Sequence, residues 1–486
     1  MTSPVTRDAA QTPELTLTGA SVGKLSESQS IIRLMLSVAA GIIVWLLPLS
    51  LDPGVQKVLA ISAFMVLSWI THALDHAITG FVGCFVFWAS GAAAFPVAFA
   101  GFANTTPWFL FGALMIGAMA AKSGLARRLA YTVMRTMGHS YSRLLMGLIL
   151  SDFLLTFLVP SGIARVVIMA SIAVGLCHAF GADRGSNIGR GMFIILTYTA
   201  TIFDKMIIAG AASITARGII ETQGGVEVLW GHWFLSFLPA DLITIFVAWW
   251  LTMYFYPPEK KELPEGKRFL TDALREMGPW TAIEKRAAIL MGCAIALWMT
   301  DAFHHISPPM VGLGIGLLAT LPMIGVLDTD DVKRVNYLPI FFVATAIGMG
   351  QVLVQSRALN IMTDAMFGWM APYVHGTFSS TAVLYWTSFL YHIPLGDEVV
   401  MLATSLPMLM NFATEQQLDP LVVGMVWTFG AGGKLFVYQS APLVVGYSYG
   451  YFSGRDMFRI GAVLTVVEFL ILSLLLVPFY WPLFGL

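Results

Sequence analysis

Charge is what this sequence has least of. Asp, Glu, Lys and Arg make up 11% of its 486 residues, against roughly 25% in an ordinary soluble domain. The charges it does have are unevenly placed: residues 257–286 hold thirteen, residues 1–30 hold five, and the rest are spread thinly over the remainder of the chain. So few charges cannot cover the surface of a water-soluble protein of this length, which excludes a soluble multidomain enzyme. Neither sign dominates, since the net charge is -1, leaving no basic surface for nucleic acid and no acidic tail. Cysteine is scarce as well. Cys84, Cys177 and Cys293 stand at irregular spacing in apolar runs, so neither a disulfide framework nor a metal-ligand set follows. Enzyme signatures are missing too: there is no HExxH and no GxSxG, and Gly430-Ala-Gly-Gly-Lys434 fails as a phosphate loop, with Thr428 at the leading glycine and Leu435 after the lysine.

Long apolar runs fill the space that charge leaves. A bilayer crossing takes about 20 apolar residues, and the chain has enough such runs for about eleven crossings, plus several of about 15 residues that abut Pro or Gly and suit half-helices or re-entrant hairpins. The stretch 1–30 contains no apolar core and forms a polar tail. Trp280, Tyr480 and Trp481 fit interfacial belts. Lys and Arg gather at 122–143, at Arg184 and Arg190, and at 257–286, whereas 222–230 and 301–308 have none. The asymmetry places the N-terminus and the 257–286 loop in the cytoplasm.

That central loop divides two halves that echo each other. Met115-Ile-Gly-Ala-Met-Ala-Ala-Lys-Ser123 precedes a helix broken at Val159-Pro160-Ser161-Gly162. In the second half, Ala346-Ile-Gly-Met-Gly-Gln-Val-Leu-Val-Gln-Ser356 precedes one broken at Ile393-Pro394-Leu395-Gly396. The separation of Ser123 from Ser356 matches that of Pro160 from Pro394 to within a single position. Matching interruptions in two halves point to a transporter binding site, because broken helices turn their ends toward a ligand near the bilayer midplane.

Charges inside apolar runs are the candidate functional groups: Asp152, Arg165, Asp204, Lys205, Asp397, Glu398 and Lys434. A charge at that depth costs several kcal/mol and normally faces a cavity or a partner. If the breaks meet, Arg165 can pair with Asp397 or Glu398, and Lys205 and Lys434 are further counter-charges. His392, just before the second break, fits a packing role better than a proton relay.

Several motifs resemble the divalent anion/sodium symporter family of di- and tricarboxylate and sulfate carriers. They are Gly101-Phe-Ala-Asn-Thr-Thr-Pro-Trp108, Lys122-Ser-Gly-Leu-Ala-Arg-Arg128, Pro160-Ser161, Asn187-Ile-Gly189 and Gly450-Tyr-Phe-Ser-Gly-Arg-Asp-Met-Phe-Arg-Ile-Gly461. The resemblance covers most of residues 30–486. It implies two inverted repeats, each with a re-entrant hairpin and a helix broken at a Ser-Asn-Thr motif, and a homodimer whose transport parts move like elevators. The first Ser-Asn-Thr falls on Ser161, Gly162 and Ile163 and the second on Asp397, Glu398 and Val399, so only one serine is kept. A Thr-Pro-Pro-Asn stretch resembles Gln439-Ser-Ala-Pro442, and its first-half partner Ala211-Ala-Ser-Ile214.

The sequence therefore reads as an all-α polytopic carrier of the inner membrane and not an enzyme. Residues 31–100 and 229–330 form the scaffold, and residues 101–228 and 331–486 the transport part and final helix. It transports a small organic anion, with a dicarboxylate as the leading class, and the alternative is a cation/proton antiporter of the same superfamily. Substrate is expected at Ser161, Gly162, Arg165, Gly396, Asp397, Glu398, Gln439 and Ser440. Proton or sodium coupling is expected at Asp397, Glu398, Asp204 and Lys205, with Ser161, Asp397 and Glu398 as sodium ligands. No other cofactor is implied.

Overall fold

A computed structural model describes residues 27–138, 140–262 and 264–486. The polar tail expected over 1–30 lies outside the described residues except for its last four. Among the described residues the fold is helical, and its only β-type contact is the isolated bridge Ser140–Glu262.

Twenty α-helices of eight residues or more follow in order. They are α1 (Glu27–Leu46), α2 (Pro53–Thr71), α3 (His76–Ala89), α4 (Thr105–Ser123), α5 (Leu125–Met137), α6 (Tyr141–Thr156), α7 (Gly162–Phe180), α8 (Asn187–Met206), α9 (Ala211–Gly224) and α10 (Trp230–Phe255) in the first half. The second half has α11 (Pro264–Glu276), α12 (Ala282–Met299), α13 (Pro308–Leu318), α14 (Leu338–Gln355), α15 (Ala358–Phe367), α16 (Thr377–Leu395), α17 (Glu398–Glu415), α18 (Pro420–Ala431), α19 (Ala441–Ser448) and α20 (Gly454–Ile471). Seven spans are long and apolar enough to cross a membrane, or eight if the pair α4 and α5, bent by 68°, counts as one. The short apolar helices α3, α13 and α18 have 14, 11 and 12 residues. At 1.5 Å per residue, that is roughly half to two-thirds of a 30 Å core.

The internal echo is real at the level of hydrogen bonds. Ser123 Oγ donates to Ala120 O and accepts from Leu125 N, while Gly124 takes a left-handed φ of 80° and turns α4 into α5. Ser356 Oγ likewise donates to Leu353 O and accepts from Ala358 N, and Arg357 takes φ 61° between α14 and α15. One turn chemistry is used at both sites.

Both proline breaks are hairpin tips. Tyr141 N, at the start of α6, donates to Lys261 O, and Phe180, at the end of α7, packs on Gly266. The outer ends of both legs thus lie beside the 257–286 segment, with the turn 157–161 at the far end. In the second hairpin, Ser388 Oγ of α16 donates to Trp427 O at 2.6 Å, and Trp427 Nε1 donates to Ser405 Oγ of α17 at 2.9 Å. Residues nearly equidistant from Asp397 meet one tryptophan, as antiparallel legs must.

Two further interruptions, 207–210 between α8 and α9 and 432–440 between α18 and α19, complete the central layer. Gly224 touches Pro420, Gly424 touches Ile220, Gly446 touches Thr197, and Gly450 faces Arg184. As one chain number falls the other rises, so the broken pairs α8–α9 and α18–α19 run in opposite directions. This is the inverted topology expected from the sequence, and it brings the two breaks to one level.

Trp280 is half exposed, as a belt residue should be, whereas Trp481 is fully buried and donates from Nε1 to Ser236 O. Tyr480 donates its hydroxyl to Leu235 O. These two anchor the chain end to α10 because each polar atom finds a carbonyl there, which corrects the belt expectation for Trp481.

Candidate functional site

Four interruptions meet in this layer. At the first tip, Ser161 is the N-cap of α7, and its hydroxyl accepts from Ala164 N at 3.3 Å. At the second, Asp397 is the N-cap of α17 and accepts from Val400 N at 3.0 Å. The two residues hold equivalent posts, each with an extended backbone. Gly396 precedes the second cap at φ 65°, a conformation that glycine takes at no steric cost.

Both tips press on the segment 432–442. A Cβ at Gly162 would lie 2.7 Å from Pro442 Cγ and 2.9 Å from Asp204 Oδ2. Gly396 faces Tyr438, whose hydroxyl donates to Ile393 O. His392 Nε2 lies 3.1 Å from Gln439 O. Glu398 Oε2 accepts from Lys434 Nζ at 2.7 Å. Gln439 is buried, its Oε1 accepting from Leu435 N and Phe436 N, while its Nε2 has no hydrogen-bond partner among the described residues. Ser440 is half-buried at the start of α19, whose first N–H groups have no side-chain cap.

The ion pairs differ in part from the sequence expectation. Arg165 does not pair with Asp397 or Glu398. Its Nε donates to Asp152 Oδ1 at 3.0 Å and its Nη2 to Asp204 Oδ1 at 2.8 Å and Ala200 O, while Nη1 reaches Val159 O. The guanidinium is fully buried in α7 one turn from the tip, and those four acceptors surround it, so it stays behind its own hairpin. Lys205 is also engaged elsewhere, donating to Glu468 Oε2 of α20 at 2.6 Å and lying 4.4 Å from the Phe429 ring centre. Lys434 is the one expected counter-charge that does reach Glu398.

Sequence reasoning missed Asp241, the one acid or base of the Asp/Glu/Lys/Arg type in α10, and Glu468, which lies in the apolar C-terminal half of α20. The rule that singles out an acid in an apolar run applies to both. It also missed His72, at the left-handed end of α2, whose Nε2 approaches the Gly396 position within 3.9 Å of an added Cβ. Nothing in its own stretch of chain marks it, because the contact is between distant elements.

Two motifs turn out to be packing devices. Gly432 of the glycine-rich run lies so close to Lys205 that a Cβ there would sit 2.1 Å from Lys205 Cδ. Tyr451 of the C-terminal motif stacks on Phe193 at 3.9 Å. In the same motif, Ser453 and Asp456 form a capping box, and Asp456 accepts from Tyr256 Oη. A cavity of about 570 Å³ bounded by Phe81, Phe95, Phe99 and Phe102 is apolar and stands apart from the tips.

A family model described as the sodium:sulfate symporter transmembrane region matches residues 28–486. The chain belongs to the divalent anion/sodium symporter family. It is a membrane transporter and not an enzyme. Among relatives of this symporter family, a citrate/succinate antiporter of Escherichia coli is 28% identical over 399 residues, 79% of each chain. An L-tartrate/succinate antiporter of Shigella flexneri is 25% identical over 386 residues, 77% of this chain and 78% of the relative. A putative malate transporter of Bacillus subtilis is 27% identical over 314 residues, 63% of this chain and 65% of the relative.

Proposed function

We propose that this chain is a secondary transporter that exchanges small di- or tricarboxylates across the inner membrane, with its N-terminus and 257–286 loop in the cytoplasm. The observation that carries this reading is the meeting of four chain interruptions in one layer, with the hairpin tips at Ser161 and Asp397 both against 432–442. First-turn N–H groups at the starts of α7, α17 and α19, which the helical ladder leaves over, together with the helix dipoles, favour carboxylate oxygens. Lys434 offsets Glu398, so the layer does not present two bare carboxylates to an anion. The three relatives are named for succinate, citrate, tartrate or malate, all small organic acids.

Exchange is preferred to sodium symport because a tethered ammonium already neutralises the buried acid of the second tip and two of the relatives are named antiporters. Glu398 is held by Lys434, Ser161 by Ala164 N and Asp397 by Val400 N. The charge that a sodium ion would bring to Glu398 is supplied by a tethered ammonium. Arg165, Asp152 and Asp204 brace the first tip and do not contact substrate.

For the elevator motion we place α10 with the moving part instead of the scaffold. Trp230 Nε1 and Trp233 Nε1 donate to Ile208 O and Lys205 O, and Phe237 stacks on Phe429. Helices α1–α3 and α12–α13 form the static body, which dimerises.

The test is counterflow in proteoliposomes. Vesicles preloaded with succinate should take up labelled citrate, succinate, tartrate or malate without sodium, and empty vesicles should not. Proton release driven by sodium or lithium, with no carboxylate exchange, would instead establish the cation/proton antiporter.

A further inference from the structure

We infer that Asp241, in the middle of α10, is a proton-binding site linked to the substrate layer through Lys205. This rests on the carboxylate-exchange reading above for its linkage, but not for the proton site itself.

Asp241 is the twelfth of the 26 residues of α10 and is fully buried. Neither carboxyl oxygen has a hydrogen-bond partner among the described residues. A carboxylate held inside a membrane protein without one donor is costly, and the neutral acid avoids most of that cost. Lys205, on α8, lies on this side of α10, its carbonyl accepting from Trp233 Nε1 and its ammonium lying over the Phe429 ring that stacks on Phe237, and this ammonium is already committed to Glu468 on α20. Other charged groups on the elements around α10 sit toward its ends or hold other partners: near its C-terminus Asp456 accepts from Tyr256 and pairs with Arg190, and Arg459 lies over Phe255. On α6, Asp152 holds Arg165. On α12, Glu284 holds Arg128. Asp301 accepts from Trp230 N and Gly231 N at the far start of α10. The segments Leu472–Tyr480 and Trp481–Phe484 contain no ionisable group except Tyr480, whose hydroxyl is bonded to Leu235 O.

One cation therefore serves two acids, and charge balances when Asp241 carries a proton and Glu468 does not. The step is protonation alone: a proton from water joins a carboxylate oxygen, and no other bond changes. When that proton leaves, Asp241 competes with Glu468 for the ammonium. Lys205 Nζ donates to Glu468 and, at 3.4 Å, to Phe429 O, which leaves a third N–H to re-aim. Any such shift is felt in the substrate layer, because Lys205 packs directly against Gly432. Two residues on, Lys434 holds Glu398 at the second tip. Asp204, adjacent to Lys205, holds Arg165 behind the first tip. Binding of a multivalent anion adds negative charge here and so favours the protonated acid, and at a pH where the free protein has released this proton the complex takes up at most one.

The purified full-length protein tests the site without any substrate. Infrared difference spectra between acid and alkaline pH should show the carbonyl band of a protonated carboxylic acid that titrates. Labelling with carbon-13 aspartate should shift it, and Asp241→Asn should abolish it. In proteoliposomes, exchange by Asp241→Asn should lose the pH dependence that the wild type shows over the same range. A band unmoved by aspartate labelling, retained in Asp241→Asn, or constant at every pH overturns the inference. Because labelling needs no substitution, misfolding of the variant cannot mask the result. A titrating aspartate band with no carboxylate exchange would overturn the transport reading and the linkage while leaving the proton site in place.

Discussion

Lys434 Nζ lies 2.7 Å from Glu398 Oε2, and both side chains are nearly or wholly buried. The pair ties the first residue of α17, at the second hairpin tip, to the link between α18 and α19. Breaking a buried pair from one side strands a charge and costs about 3–5 kcal/mol. Lys434→Met should therefore lower thermal stability strongly and abolish carboxylate exchange. The double variant Lys434→Met with Glu398→Gln should recover most of the stability but not the exchange, as read by thermal unfolding in detergent and by counterflow.

Arg165 joins two acids, Asp152 and Asp204. Arg165→Ala leaves both carboxyls without their cation, so a loss of stability of about 3–5 kcal/mol is expected, with uptake failing because the first hairpin is no longer braced. A variant with wild-type melting temperature and altered substrate affinity alone would show that Arg165 touches substrate after all.

Asp397 caps α17. Asp397→Asn keeps an acceptor for Val400 N, while Asp397→Ala removes it at about 1 kcal/mol. Asn should therefore melt close to the wild type. Because the variant also removes a negative charge from the layer, it should bind divalent carboxylates more tightly, measured by substrate-dependent thermal stabilisation.

Gly162 has no room for a side chain, with Pro442 Cγ, Ala200 O and Asp204 Oδ2 all within 3 Å of its Cβ position. Gly162→Val should cost about 1–3 kcal/mol by overpacking and abolish exchange by forcing the first tip off α19. Gly454→Ala, where an added Cβ meets nothing, is the matched control and should change neither.

Outside the spans, Asp328 accepts from Lys122 at 2.8 Å and also pairs through that lysine with Asp331. The lysine hydrogen bond and backbone N–H groups hold the Asp328 carboxyl at about 2, below its ordinary 3.8. A lowered folded value means that the contribution is present above 3.8 and lost as pH falls toward 2. The wild type should therefore lose more stability between pH 4 and 2 than Asp328→Asn, in parallel melts.

The sequence by itself determined that the chain spans a membrane, because charged residues amounting to 11% of its length, many of them crowded into one central loop, cannot solvate a soluble surface. It also determined where the backbone breaks. Proline and glycine act through their own dihedral angles, so Pro160, Pro394 and Gly396 announce interruptions without help from distant residues. The repeat was legible for the same reason, since Ser123 and Ser356 make their turns from local hydrogen bonds.

Only the tertiary structure decided which charge meets which. Arg165, Lys205 and Lys434 look interchangeable in sequence, yet each is confined by the segment that carries it, a helix for the first two and the link between α18 and α19 for the third. Arg165 is turned back onto Asp152 and Asp204, Lys205 across to Glu468, and Lys434 alone toward the second tip. The low dielectric of the interior makes an unpaired charge costly and thus forces pairing. The choice of partner depends on how the inverted halves interlock, and that long-range geometry has no local signature in the chain.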